Sequence, residues 1–207
     1  MKFNLYNELN SADKEKNKPE PGELDKVKNI VSDRDYLQFL ELTNGGSVLD
    51  SALHFYGVLP IKLELEIFYN NFLFTKYYKE LLSNIFVFAE DAFGNQFGFL
   101  NESVVFFNIE TASIDHIFKD FDQFVSELSN DLDFFSGFSI VNKWQKKHGP
   151  IEENKRLCPV KPFVIGGEYS IENLYALNKE DLLDYNSNIA KQIKDLPDGT
   201  EVNLSVT

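Results

Sequence analysis

The stretch Ile85-Phe86-Val87-Phe88-Ala89-Glu90-Asp91-Ala92-Phe93-Gly94-Asn95-Gln96-Phe97-Gly98-Phe99-Leu100-Asn101-Glu102-Ser103-Val104-Val105-Phe106-Phe107-Asn108-Ile109 decides the fold. It opens on an unbroken apolar run, Ile85 to Ala89, and Glu90 to Asn95 then supplies turn chemistry around Gly94-Asn95. Phe97 and Phe99 alternate with Gln96 and Gly98, and Asn101 to Ser103 turns the chain into a second apolar run, Val104 to Ile109. Three successive strands in an antiparallel meander follow from this pattern, at the centre of a sheet.

Helical signals flank the meander. Ser32 and Asp33 stand where an N-cap belongs, Tyr36, Leu37, Phe39 and Leu40 make one apolar face, and Asn44-Gly45-Gly46 supplies residues tolerant of positive φ to stop the helix. Asp120 with Gln123 forms a capping box ahead of a stripe of Phe121, Phe124, Val125, Leu128 and Leu132, predicting a helix that covers one sheet face. Asn178 precedes a further stripe, Leu182, Tyr185, Ile189, Ile193 and Leu196, stopped by Pro197-Asp198-Gly199, and Val202, Leu204 and Val206 alternate as a last strand. Without regular alternation of strand and helix, the expectation is an α+β fold: a single domain with a twisted, mainly antiparallel sheet flanked by helices.

The remaining segments read as connections. Residues 1–22 form an amino-terminal segment in which Ser11 to Gly22 mixes charges with Pro19, Pro21 and Gly22, the composition of a linker, and the folded domain is expected over 23–207. After Asn142 the character changes: Lys143, Lys146, Lys147, Lys155, Arg156 and Lys161 gather near Gly149-Pro150 and Cys158-Pro159. That region reads as a positive, loop-rich crossing that connects rather than organises, with Lys146 and Lys147 at a solvent-facing helix end.

Composition narrows the function. The 207 residues are 43% hydrophobic and carry 33 acidic against 20 basic side chains, a net charge of −13. A core can be buried, whereas unspecific binding to nucleic acid or anionic lipid is repelled and a cationic partner favoured. The amino end lacks a continuous apolar stretch, and no apolar run reaches the roughly 18 residues of a spanning helix, so a cytoplasmic protein is expected, with no membrane partner. Asn101-Glu102-Ser103 and Asn203-Leu204-Ser205, in that setting, are chance matches to the glycosylation triplet. Cys158 stands alone, so no disulfide or cysteine zinc site forms within the chain.

A search for chemistry finds little. His54, His116 and His148 lack metal-ligand spacing, Cys158 precedes Pro159 in no nucleophile signature, and no nucleophile elbow or phosphate loop occurs. The expectation is no catalytic residue, no cofactor and no metal. Glu90 and Asp91 adjoin where strand meets turn; neighbouring strand residues face opposite sides, so they read as a solvated turn or a partner contact, with a metal-dependent enzyme built on them and a histidine as the remote alternative. More informative is a charge block, Glu110, Asp115, Asp120, Asp122, Glu127, Asp131 and Asp133, opposed in that interval only by Lys119. Asp122 and Glu127 fall on the outer side of a helix whose inner side is phenylalanine, a negative surface on a rigid support.

Tyr36-Leu37-Gln38-Phe39-Leu40 with Thr43-Asn44-Gly45-Gly46, followed by Phe88-Ala89-Glu90-Asp91-Ala92-Phe93-Gly94-Asn95-Gln96-Phe97, resembles the paired signature of the SUKH superfamily. That group includes bacterial toxin-immunity proteins and fungal cell-wall-synthesis regulators. Pro162-Phe163-Val164-Ile165-Gly166-Gly167-Glu168-Tyr169 and Leu196-Pro197-Asp198-Gly199 are similar to one bacterial branch. The resemblance runs from about Leu24 to Val206 and implies a SUKH-like scaffold that acts by binding rather than by catalysis. The chain departs from the family in its charged segment before Leu24 and in a carboxyl-terminal extension from about residue 143. The functional expectation is a non-enzymatic immunity protein that neutralises a cognate basic toxin, for instance a nuclease, with Glu90, Asp91, Asp115, Asp122 and Glu127 as partner-binding candidates and no direct nucleic-acid contact. The alternative is a regulatory adaptor for signalling or cell-wall proteins. Oligomeric state is left open.

Overall fold

A computed structural model of the chain describes residues 19, 21–58, 66–82, 84–197, 199, 200 and 202. Its main sheet is a six-stranded meander in chain order: β1 (Gly46–Val48), β2 (Leu53–Phe55), β3 (Ile85–Asp91), β4 (Gln96–Leu100), β5 (Ser103–Asn108) and β6 (Ser113–Phe118). Every neighbouring pair is antiparallel. The expected three-strand run is β3 to β5, with register Gln96↔Phe107 to Leu100↔Ser103 along its second hairpin.

The helices in order are α1 (Pro21–Lys28), α2 (Arg34–Thr43), α3 (Ile67–Tyr78), α4 (Phe121–Asn130), α5 (Leu132–Ser136), α6 (Phe138–His148) and α7 (Lys179–Ile193). Helices α2 and α4 cover one sheet face with a layer of interlocked rings. Tyr36 lies 5.1 Å from both Phe88 and Phe99, Phe97 lies 4.9 Å from Phe124, and Phe118 lies 5.4 Å from Phe124. Tilted and edge-on contacts of this kind add to the burial of the rings themselves. On the opposite face Phe107 packs edge-on against Phe74 and Tyr78 of α3, at 5.1 and 5.3 Å.

Local chemistry sets the α2 boundaries as expected. Asp33 Oδ1 accepts from Tyr36 N at 3.0 Å, and Asn44 closes the helix in the left-handed conformation at φ 48°. The Asn44 side chain then bonds both backbone groups of Val58, at 3.0 and 2.7 Å. Gly45, at φ 74°, has no room for a Cβ, which would meet Phe55 O at 2.6 Å. Asp120 caps α4 by accepting from Gln123 N at 2.9 Å, whereas the Gln123 side chain accepts from Lys119 N instead of closing back on Asp120.

Elsewhere the structure corrects the sequence reading. The stretch 47–84, for which the sequence reading proposes no element, holds most of β1, all of β2, and α3. The two strands have three residues each, too few to show a period. Helix α3 carries aromatics around its circumference, with Phe72 63% exposed, and buries Asn70, so no clean stripe appears. Pro21 and Gly22, assigned to the linker, open α1, whose Leu24 and Val27 are buried. The region after Asn142 is organised: α6 runs to His148, and β7 (Lys155–Pro159) pairs with β8 (Leu174–Asn178) in a second antiparallel sheet. Asn178 occupies the N-cap position of α7 but bonds Asp181 rather than the helix backbone. Of the expected last strand only Val202 lies within the described residues.

Candidate functional site

Glu90 is fully buried. Register pairs it with His54 on β2 and Gln96 on β4. Its Oε1 accepts from Arg156 Nε at 2.9 Å and Nη2 at 2.6 Å and from Lys179 Nζ at 2.8 Å, and its Oε2 accepts from Gln96 Nε2 at 3.1 Å. Arg156 comes from β7 and Lys179 from the first turn of α7, so both cations belong to the carboxyl-terminal third. Lys179 also donates to Tyr56 Oη at 2.8 Å and to Asn70 Oδ1, and lies 4.4 Å from the Tyr56 ring centroid. Tyr56 Oη donates in turn to Gln96 Oε1 at 2.8 Å. Burial raises the Glu90 carboxyl, but Arg156, Lys179 and His54 outweigh it and hold the group down to about 2. Burial, with Arg156 adding to it, draws Lys179 down to about 8 against the pull of Glu90.

Asp91 points elsewhere, as strand alternation requires, and it too is buried. Its Oδ1 accepts from Phe93 N and Asn95 N, both at 2.9 Å, and its Oδ2 from Asn95 Nδ2 at 2.8 Å. Burial pushes the carboxyl up to about 7 while these donors pull it down. Asn95 Oδ1 accepts from Ile109 N at 3.1 Å, tying the corner to the end of β5. The pair is therefore not a solvated turn, and neither carboxylate lies where a docking partner meets it. Glu90 is the counter-ion of two core cations and Asp91 is the organiser of a hairpin corner.

The other candidates do reach the surface. Asp115 and Asp122 are exposed and Glu127 is half-buried. Asp115 accepts from Asn108 Nδ2 at 2.9 Å and Ser113 Oγ at 2.6 Å. Glu127 pairs with His116 of β6 at 2.8 Å and accepts from Gln123 Nε2 at 2.6 Å, so α4 is tied to the strand carrying Asp115. Asp120, Asp131 and Asp133 each accept from a backbone N–H, those of Gln123, Phe134 and Ser139. Glu110 leaves the surface: it is 7% exposed and accepts from Phe163 N and Val164 N at 3.2 and 2.8 Å. Beside these acids Ile117 and Phe134 are 61% and 58% exposed. The result is an acidic rim along β6, α4 and α5 whose charges are mostly fixed by hydrogen bonds.

Among the described residues no group of three or more His, Cys, Asp and Glu side chains converges as a metal site, and no helix is long and apolar enough to cross a membrane. Burial raises the Cys158 thiol to about 11. Trp144 is buried and donates to Leu174 O at 3.2 Å, while Lys146 and Lys147 are exposed in the last turn of α6. Sequence reasoning missed Arg156 and Lys179. The one local hint is that Arg156 sits directly before the buried Leu157-Cys158 pair.

The SMI1 / KNR4 family (SUKH-1) model matches residues 26–127, a match consistent with the SUKH superfamily. No curated protein matches the chain in sequence. The fold is similar to that in the crystal structure of Atu4351 from Agrobacterium tumefaciens, with a TM-score of 0.53 at 14% identity, covering 85% of this chain and 84% of that one. The likeness covers more of the chain than the family region does.

Proposed function

We propose that this SUKH-like protein is a non-catalytic immunity protein that works in the cytoplasm by covering the basic, substrate-binding groove of a cognate toxin. The observation that carries this reading is the acidic rim, in which Asp115 and Glu127 are immobilised by hydrogen bonds on β6 and α4. Charge held on rigid elements loses little entropy on docking and steers a cationic partner into place. Exposed Phe134 and Ile117 supply apolar anchors within the rim, the composition expected of an interface core bordered by polar groups. A standard interface buries about 1,600 Å² in total, which a domain of this size can supply.

The test uses the partner captured from the native host with the full chain as bait. Asp115→Lys with Asp122→Lys should slow association at low salt by roughly 10- to 100-fold, with a smaller effect at high salt. These side chains are exposed, so folding should be unchanged by circular dichroism. An association rate equal to that of the parent chain at low salt discards this face. A captured partner that is itself acidic discards the toxin reading.

A further inference from the structure

A groove of about 740 Å³ runs between the end of α7 and the loop that follows β7. Its apolar walls include Val164, Ile165, Ile193 and Leu196, and two cations, Lys161 and Lys194, stand on it. Thr111 and Val164 also line a second recess, of about 280 Å³, that continues inward to Phe93, Ile109, Phe163 and Asn186. Volumes of this order are those of small-molecule sites, and the walls here mix apolar side chains with polar ones such as Thr111 and Thr200.

Thr111 and Thr200 of this groove are hydrogen-bonded within the chain, but its two cations differ from the fixed acids of the rim. Among the described residues neither Lys161 nor Lys194 has an ion-pair partner, in a chain whose net charge is −13. The backbone of Lys161 is nonetheless fixed: Asn173 bonds both its N–H and its carbonyl at 2.9 Å. Gly167 keeps the loop closed, because a Cβ there would meet Lys161 O at 1.9 Å. At the inner end Asn186 is 1% exposed, its Nδ2 donates to Leu182 O at 3.0 Å, and its Oδ1 has no partner. That bond fixes the amide orientation, so the acceptor stays unsatisfied until a donor arrives. Glu110 holds the loop over the recess through the N–H groups of Phe163 and Val164, so the walls are preformed.

We propose that this groove is a binding site for a small amphipathic carboxylate: an apolar body between Val164, Ile165, Ile193 and Leu196, its anionic end at Lys161 and Lys194, and a hydrogen-bond donor at its other end meeting Asn186 Oδ1. The site is separate from the acidic rim and does not depend on the toxin reading.

Calorimetric titration of the full chain with ω-hydroxydodecanoate, dodecanoate and dodecanol, each below its micelle concentration, tests the proposal. ω-Hydroxydodecanoate should bind saturably, one per chain, and tighter than dodecanoate by about 10-fold, the worth of one hydrogen bond. Lys161→Ala with Lys194→Ala should weaken both acids by about 10-fold or more and leave the alcohol unaffected. Val164→Trp, at an exposed position, should block all binding without disturbing the fold, and Asn186→Leu, if it folds, should remove the preference for the hydroxylated acid. The proposal is overturned if no probe gives saturable heat, if the lysine double variant binds as the parent does, or if Val164→Trp leaves binding intact. Rim variants that lose association with the captured partner should keep probe binding, and the lysine double variant should keep that association, which separates failure of one reading from failure of the other.

Discussion

At Glu90 one carboxylate oxygen accepts hydrogen bonds from two cationic side chains, Arg156 and Lys179, in a fully buried position. Such a cluster is worth little over a well-packed apolar one, but removing a single member leaves charge stranded in a low-dielectric interior. Glu90→Leu should therefore destabilise the chain by about 3–5 kcal/mol in urea unfolding, because it strands both Arg156 and Lys179, and adding Arg156→Met to Glu90→Leu should recover part of that loss, with Lys179 still unpaired. A double variant that is less stable by the full sum of the single changes would show that the charges are not coupled. None of this is legible along the chain, because Arg156 and Lys179 are 66 and 89 residues from Glu90 and no local pattern marks them as its partners. Asp115 and Asp122 are legible because exposure on a strand or helix follows from local period, which a sequence displays directly.

Among the elements, α2 shows how far local chemistry reaches. Its cap, apolar face and left-handed stop are all short-range features, and each lies where the sequence puts it. Asp33 does more than that reading assigns: Oδ1 caps α2 at Tyr36 N, and Oδ2 accepts from Phe121 N at 2.9 Å, the first residue of α4. One carboxylate thus joins the starts of both helices on this sheet face. Asp33→Ala should destabilise the chain by about 2 kcal/mol, roughly twice an ordinary cap, and Asp33→Asn should keep only one of the two bonds, because its amide has a single acceptor oxygen and turns a donor toward the other N–H. A loss near 1 kcal/mol by thermal or urea unfolding would mean that only the α2 cap matters. Helix α3 shows where local reading stops: it is wedged between the sheet and α7, so its outer face keeps aromatics and its inner face accepts Asn71, whose amide bonds both backbone groups of Val87 at 2.8 Å.

For the whole molecule, the region that matches the family model ends at residue 127, yet the core does not. Leu157, Cys158, Leu174, Leu182 and Leu183 belong to the same buried cluster as the sheet, and Leu157 N donates to Ala92 O at 2.7 Å. A chain ending at Asn142 would expose that surface and leave Glu90 without either cation. It should lose near-ultraviolet circular dichroism and cooperative urea unfolding; a sharp transition in the truncated chain would show the extension to be dispensable. The sequence by itself determined the meander, the capped helices α2 and α4, the acidic exterior and the resemblance to the family, because turn chemistry, hydrophobic period and net charge are written within a few residues or summed over all of them. Only the tertiary structure decided that Glu90 and Asp91 lie inside, that the basic stretch after Asn142 supplies the core's cations, and that Lys161, Lys194 and Asn186 share a groove. Those facts rest on contacts between distant segments, and burial reverses the meaning of a charged residue according to which partner the fold brings to it.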